Sequence, residues 1–421
     1  MIRSLRWALI LIVASVLAIA GCGGGDRGAG GAAVDVRDWA SVEAVARGTT
    51  VNWYVWGGSD AINAFIDTTY GEALRTRYGI VLNRVPVADT VDAVNRVLSE
   101  KQAGTDPGVV DLIWINGENF ATLRDARMLR TGWARALPNA RLVDWGDPAI
   151  SRDFGVPVGG MESPWSSAQL QLITHPDRVP TADLPRSYAE FARWACAHPG
   201  RATYIQPGPG GFTGTRFVKG ALYELSGGAR QWGTYDPARF ARFAPRLERY
   251  LTDLAPCLWR EGRTYPRDEN ALHKLFANNE VDFTLSQATS GPETLVEAGT
   301  IPRGSRAFVF DHNMIGDHNY VAIPRNAPNP AAALVLANLL LEPEFQARHS
   351  LPESGFGLGI AIDPTRVTPG ARRRVLAEAA AARGDGATPI LDLQRSRAPD
   401  TAPEYQDAVE QLWRERVLGA R

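Results

Sequence analysis

The strongest constraint on this chain is a regular alternation, between about residues 49 and 115, of short strand-like runs with helical apolar faces. Thr50-Val-Asn-Trp-Tyr-Val-Trp56 is rich in β-branched and aromatic residues and stops at Gly57-Gly58. Ser59 is placed to cap a helix whose face is Ile62, Phe65, Ile66, Ala73 and Leu74. Ile80 to Val85 reads as a second strand, and Thr90 is expected to cap a helix carrying Val91, Val94, Val97 and Leu98. Val109 to Ile115 reads as a buried third strand closed by Asn116-Gly117. Short strands alternating with helices predict a parallel sheet covered on both faces.

The pattern breaks at Phe154-Gly-Val-Pro-Val-Gly-Gly-Met-Glu-Ser-Pro-Trp165, whose glycines and prolines suit a crossover or hinge. A second αβ region follows. Ser187 to Glu190 forms a capping box, and Thr213 opens a helix whose face includes Phe217, Ala221 and Leu225. Residues 281–285 and 306–310 read as strands, and 320–324 as the return crossover. Asn329-Pro330 then starts a strongly apolar helix. The expected fold is α/β, with two lobes joined by two crossover hinge strands. Residues 39–157 plus 320–421 form lobe 1 and 158–319 lobe 2, and 421 residues suffice for both.

The N-terminus reads as an address. Arg3 and Arg6 precede an apolar run over 7–20, ending in Ile19-Ala20-Gly21-Cys22. This segment resembles the bacterial lipobox. The resemblance implies a signal peptide over 1–21, cleavage before Cys22, and lipid on its sulfur as a membrane anchor. The glycine-rich 22–38 would be a flexible tether, with the mature protein outside the cytoplasmic membrane, in the periplasm or on the outer cell face. In that oxidising space a disulfide between Cys196 and Cys257 is favoured over two separate buried thiols. Loss of 1–21 removes no acidic residue and moves the formal charge from −1 to −3. Near-neutrality leaves no basic stripe for a nucleic-acid partner. A polytopic transporter is excluded, since only one apolar stretch approaches spanning length.

The catalytic signatures searched for are missing: G-x-S-x-G, H-E-x-x-H, Walker A and a strand-to-helix G-x-G-x-x-G. Only His312 and His318 cluster among the six histidines, without a tight ligand spacing, so no metal site and no cofactor are expected. Polar and aromatic residues instead recur after strands, where open α/β sheets bind ligands. The candidates are Trp56, Gly57 and Ser59; Asn116, Glu118 and Asn119; Thr213, Gly214 and Thr215; and Ser286 with Gln287. Plain helix capping competes with ligand binding for each cluster. Glu118, Glu162, Asp311 and Asp317 are candidate acidic lining groups, and Ser163 and Trp165 join the set beside Glu162.

Several segments together resemble the YnjB-type solute-binding proteins of ABC importers. They are Asn52 to Gly58, Glu162-Ser-Pro-Trp165 with Ala168-Gln169, Leu275 to Phe283, Phe308-Val-Phe-Asp311 with Ile315-Gly316, and Val321 to Ala327. The resemblance spans roughly residues 49–345 and departs at His312-Asn313 and His318-Asn319. It implies the type II periplasmic-binding fold, capture of a small solute between the lobes without covalent chemistry, and delivery to a membrane permease. A monomer is expected. Carboxylates beside Trp56 and Trp165 favour a cationic organic solute such as thiamine or a relative. The competing ligands are an anion or sugar held at helix N-termini, and ferric iron. A competing activity is an extracytoplasmic hydrolase using Glu162 or His318 as base.

Overall fold

The computed structural model describes residues 34–419, except 59, 209, 352, 353, 355 and 356; the leader, Cys22 and Ser59 lie outside the described residues. Helix α1 (Trp39–Ala46), N-capped by Asp38, leads into β1 (Thr50–Trp56). Then come α2 (Asp60–Phe65), β2 (Val81–Val87), α3 (Thr90–Ala103), β3 (Leu112–Ile115) and α4 (Glu118–Asp125). Strand β1 runs parallel to β2 on one side and β3 on the other. Its alternation works on both faces: Val51, Trp53 and Val55 enter one core, and Tyr54 packs against another. Asp89, rather than Thr90, caps α3, with Asp92 completing a capping box.

After α5 (Pro148–Ser151), a short hairpin of β4 (Arg152–Asp153) and β5 (Val156–Pro157) precedes β6 (Glu162–Gln169), the outward crossover. Lobe 2 contains β7 (Gln171–Thr174), α6 (Tyr188–Ala197), α7 (Phe212–Ser226), α8 (Pro237–Leu254), α9 (Glu269–Ala277), β8 (Thr284–Ser286), α10 (Glu293–Glu297) and β9 (Arg306–Phe308). Its strands form an antiparallel sheet in the order β8-β7-β9. A disulfide joins Cys196 of α6 to Cys257, just beyond α8.

Strand β10 (Met314–Ala322) brings the chain back, antiparallel to both β6 and β3. Helix α11 (Pro330–Leu340) follows and is buried at every position. Each fully buried leucine of such a helix contributes about 1.5–3 kcal/mol. After α12 (Pro343–His349) and α13 (Ala371–Ala382), α14 (Ile390–Ser396) leads to β11 (Arg397–Ala398), paired with the start of β10, and to α15 (Pro403–Trp413).

The lobe boundaries differ from the sequence reading. Residues 158–165 belong with lobe 1, because Val158 and Trp165 sit in its cores while Leu170 sits in the lobe 2 core. On the return, Met314 and Ile315 are in lobe 2 and Val321 in lobe 1, so the crossing lies within β10 before residue 320. The C-terminal end is not part of lobe 1. Tyr405, Val409 and Leu412 make an apolar stripe at helical spacing that α15 buries in the lobe 2 core. Among the described residues the chain therefore passes between the lobes three times.

Candidate functional site

A cleft of about 560 Å³ lies between the lobes. Lobe 1 supplies Trp56 at the end of β1, Asn116, Glu118 and Asn119 beyond β3, and Phe154 at the tip of the β4–β5 hairpin. The crossover strands supply Ala168, Asp317 and Asn319. Lobe 2 supplies Phe212 and Arg216 from the first turns of α7, Gln287 beyond β8, and Gln406 and Asp407 of α15. The two-residue period of β10 aims Asp317 and Asn319 at the cleft and His318 at the opposite face.

Hydrogen bonds fix the polar groups. Asn319 Oδ1 accepts from Trp114 Nε1 at 3.2 Å and Asn116 Nδ2 at 3.1 Å, while its amide donates to Ser166 Oγ at 3.0 Å. Arg216 donates to Gln287 Oε1 and to Asp317. Gln287 in turn donates to Thr213 Oγ1 at 2.8 Å. The Arg216 guanidinium lies 4.4 Å from the centroid of the Phe212 ring, which stacks at 6.2 Å on Phe154 across the cleft.

Behind this wall is a buried charge cluster. Lys219 pairs with Asp400, and Arg216 Nε lies 3.4 Å from the same carboxylate. Burial works to raise the Asp400 pKa, yet Lys219 and Arg216 outweigh it and hold it below the usual range. Burial raises Asp317 despite Arg216. Two cations thus face two carboxylates. Glu118 and Asp407 stand outside this balance, with no salt-bridge partner among the described residues.

Of the residues singled out in the sequence, Trp56 (40% exposed), Asn116, Glu118, Asn119, Asp317 and Gln287 meet at the cleft. Others do not. Gly57 is a packing position, since a Cβ there would sit 2.5 Å from Pro86 Cβ. Trp165 is fully buried edge-on to Trp53 and Trp114, and Ser163 is buried one turn of the pleat away. Glu162 is also buried, and neither carboxyl oxygen has a hydrogen-bond partner among the described residues. These three, expected in the binding site, are core residues instead, because β6 enters the lobe 1 core before it reaches the cleft.

The α7 cluster is likewise inward. The helix begins at Phe212 behind Gly211, so Thr213 and Thr215 are in its first turn and buried. Thr213 donates to Glu269 at 2.6 Å and Thr215 to Glu410 at 2.9 Å. Gly214 is needed for contact, since a Cβ would lie 1.8 Å from the Ile205 carbonyl oxygen. Ser286 is buried and accepts from the Ala288 amide. Asp311 pairs with Arg186 at 2.8 Å and does not line the cleft.

Sequence reasoning missed Phe154, Phe212, Arg216, Asn319, Gln406 and Asp407. Arg216 carried a usable signal: it lies one residue beyond the Thr213-Gly214-Thr215 cluster, on the helix already assigned. Neither candidate hydrolase base, Glu162 or His318, lines the cleft. Glu162 registers opposite Ala322 and His318 opposite Ser167, four residues apart along β10 or about 13 Å.

Two lobes, antiparallel crossover strands and a polar–aromatic cleft describe a solute trap, and relatives agree. Residues 69–357 match the family model described as bacterial extracellular solute-binding protein. The chain belongs to this family. Protein YnjB of Escherichia coli K12 is 40% identical over 343 residues, covering 81% of this chain and 86% of YnjB. In fold it is similar to an extracellular solute-binding protein from Bordetella parapertussis, with TM-score 0.62 at 13% identity over 87% of this chain and 98% of that one. It is also similar to apo ferric ion-binding protein A of Pasteurella haemolytica, with TM-score 0.56 at 13% identity over 87% and 97% of the two chains. A third is the spermidine/putrescine ABC transporter substrate-binding protein PotD of Streptococcus pneumoniae, with TM-score 0.55 at 14% identity over 87% and 98%. The fold is the type II periplasmic-binding fold. The chain is therefore a bacterial extracellular solute-binding protein and not an enzyme.

Proposed function

We propose that the cleft takes a cationic organic solute, thiamine or a related ring cation, and hands it to the permease. The observation that carries this reading is the pair of carboxylates, Glu118 and Asp407, left over after the buried cations and anions have balanced. They face each other's side of the cleft from lobe 1 and lobe 2, beside the rings of Trp56, Phe154 and Phe212. A flat cation would gain from both the carboxylates and the ring faces. Closure follows when each lobe gains contacts with the same solute. Among the described residues, no group of three or more His, Cys, Asp or Glu is placed to hold a metal ion, so the cleft gives ferric iron less support.

Thermal unfolding with added ligand tests the reading. Thiamine should raise the melting temperature saturably, and Glu118→Gln and Asp407→Asn should each weaken that shift. A shift with phosphate alone, or thiamine shifts in both variants as large as in the parent protein, would overturn it.

We further propose that the mature chain is a monomer leashed by lipid on Cys22. Cys22→Ala should move it from the membrane to the soluble fraction and remove the acyl mass from its N-terminal peptide.

A further inference from the structure

A second cavity lies behind the crossover strands and, at about 860 Å³, is larger than the cleft. The two spaces share a wall. Ala168, Asp317 and Asn319 face the cleft, whereas Ser167, Gln169 and His318 face the rear. The remaining walls come from α13, α14 and the loops near residues 144–150 and 359–365.

The rear floor is polar. His318 is buried, and its Nδ1 lies 2.8 Å from the Ala149 carbonyl. That nitrogen must carry the proton, which leaves Nε2 as an acceptor. Burial holds the ring neutral, with its pKa lowered to about 3, and Arg397 adds to the effect while Asp147 opposes it. Arg397 donates one guanidinium nitrogen to Asp147, but its buried Nε has no hydrogen-bond partner among the described residues. Of the other charges nearby, Arg383 donates to the carbonyls of Thr289, Ser290 and Thr388, Arg373 donates to the Thr365 carbonyl at 3.0 Å, and Asp144 and Asp363 pair with Arg366. The walls are apolar, with Leu376 and Leu393 inside and Leu391 at the rim, 71% exposed. An exposed leucine at the rim of such a cavity extends the apolar surface offered to a guest.

We propose that this rear cavity is a second ligand site, for a small uncharged amphipathic molecule. Its hydroxyl or amine N–H would donate to His318 Nε2, and its apolar body would lie on Leu376, Leu391 and Leu393. The lining carboxylates Asp144, Asp147 and Asp363 are paired with arginines, and Arg373 and Arg383 are hydrogen-bonded to backbone carbonyls, so an ion would have to displace an existing partner.

Fluorescence titration of the folded protein with 1-aminoanthracene, a neutral fluorophore bearing an amine, tests this assignment. The expected result is saturable one-to-one binding that is at least tenfold weaker in Ala380→Trp, which fills the cavity from α13, and unchanged in the cleft variant Trp56→Ala. Circular dichroism melting checks that Ala380→Trp is folded. If it is not, Ala377→Phe, on the exposed rim of the same helix, takes its place. The absence of saturable binding to the parent protein, or binding lost in Trp56→Ala and kept in the folded cavity-filling variant, would overturn the proposal.

Discussion

Arg216 and Asp317 tie lobe 2 to the returning crossover: a guanidinium on α7 donates to a carboxylate on β10, with both groups buried. Arg216 also lies beside Asp400 and over the Phe212 ring. Replacing it with Met leaves the buried Asp317 without its cation and Asp400 with Lys219 alone. Breaking a buried pair in this way costs about 3–5 kcal/mol. Urea unfolding should show that loss. Combining Arg216→Met with Asp317→Asn should cost less than the sum of the two single changes, because the second removes the stranded charge.

Glu162 gives stability a pH dependence of opposite sign to the usual carboxylate. Burial, reinforced by Asp153, holds its pKa well above the ordinary 4.5. The folded state therefore binds the proton more tightly than the unfolded chain. Its contribution is complete below the unfolded value and is lost as pH rises above about 4.5 toward the folded value. Glu162→Gln keeps the shape and removes the proton linkage. It should raise the melting temperature more at pH 8 than at pH 5, and an equal shift at both would refute this account.

Gly214 is sterically reserved. A methyl group at this position would lie 1.8 Å from the Ile205 carbonyl oxygen, on backbone that cannot swing aside. Gly214→Ala should destabilise by about 1–3 kcal/mol, as overpacking does. The expected signature in denaturant is a lowered midpoint with an unchanged slope.

The bridge between Cys196 and Cys257 closes a stretch with a sequence separation of 61 residues. Chain-entropy reasoning gives such a loop about 4 kcal/mol, with observed values for disulfides commonly about 2–4 kcal/mol. Reduction with dithiothreitol, or a Cys196→Ser and Cys257→Ser double variant, should lower the melting temperature by an amount consistent with that range. An unchanged melting curve in the reduced protein would show that the bridge contributes little.

How legible the chain was depended on what each strand faces. Strand β1 was expected at 50–56 and is found there, because Val51, Trp53 and Val55 alternate with less buried neighbours and announce a pleated surface. Strand β10 was expected at 320–324 but spans Met314–Ala322. Its middle reads Asp317-His318-Asn319, and those polar residues hide the strand because they line a cavity on each side. Trp165 and Glu162 looked like cleft residues from composition and neighbourhood, and only tertiary packing shows that β6 enters the core first. Residues 320–421 were expected in lobe 1 throughout, although Tyr405, Val409 and Leu412 already carry the stripe that takes α15 across to lobe 2. The cleft was found where strand ends pointed, as with Asn116 and Glu118, and missed where side chains arrive from helix turns, as with Arg216 and Asp407.

The third passage of the chain, through α14 and β11 beside β10, has a mechanical consequence. Two bodies joined by two adjacent cords can swing and also twist about them. An additional cord running alongside, anchored in both bodies, resists the twist and leaves the swing. Such a joint behaves as a door on a fixed pin. If the lobes close as proposed, each closure would end in the same pose, giving the permease one shape to recognise and the trapped solute one orientation in which to be released.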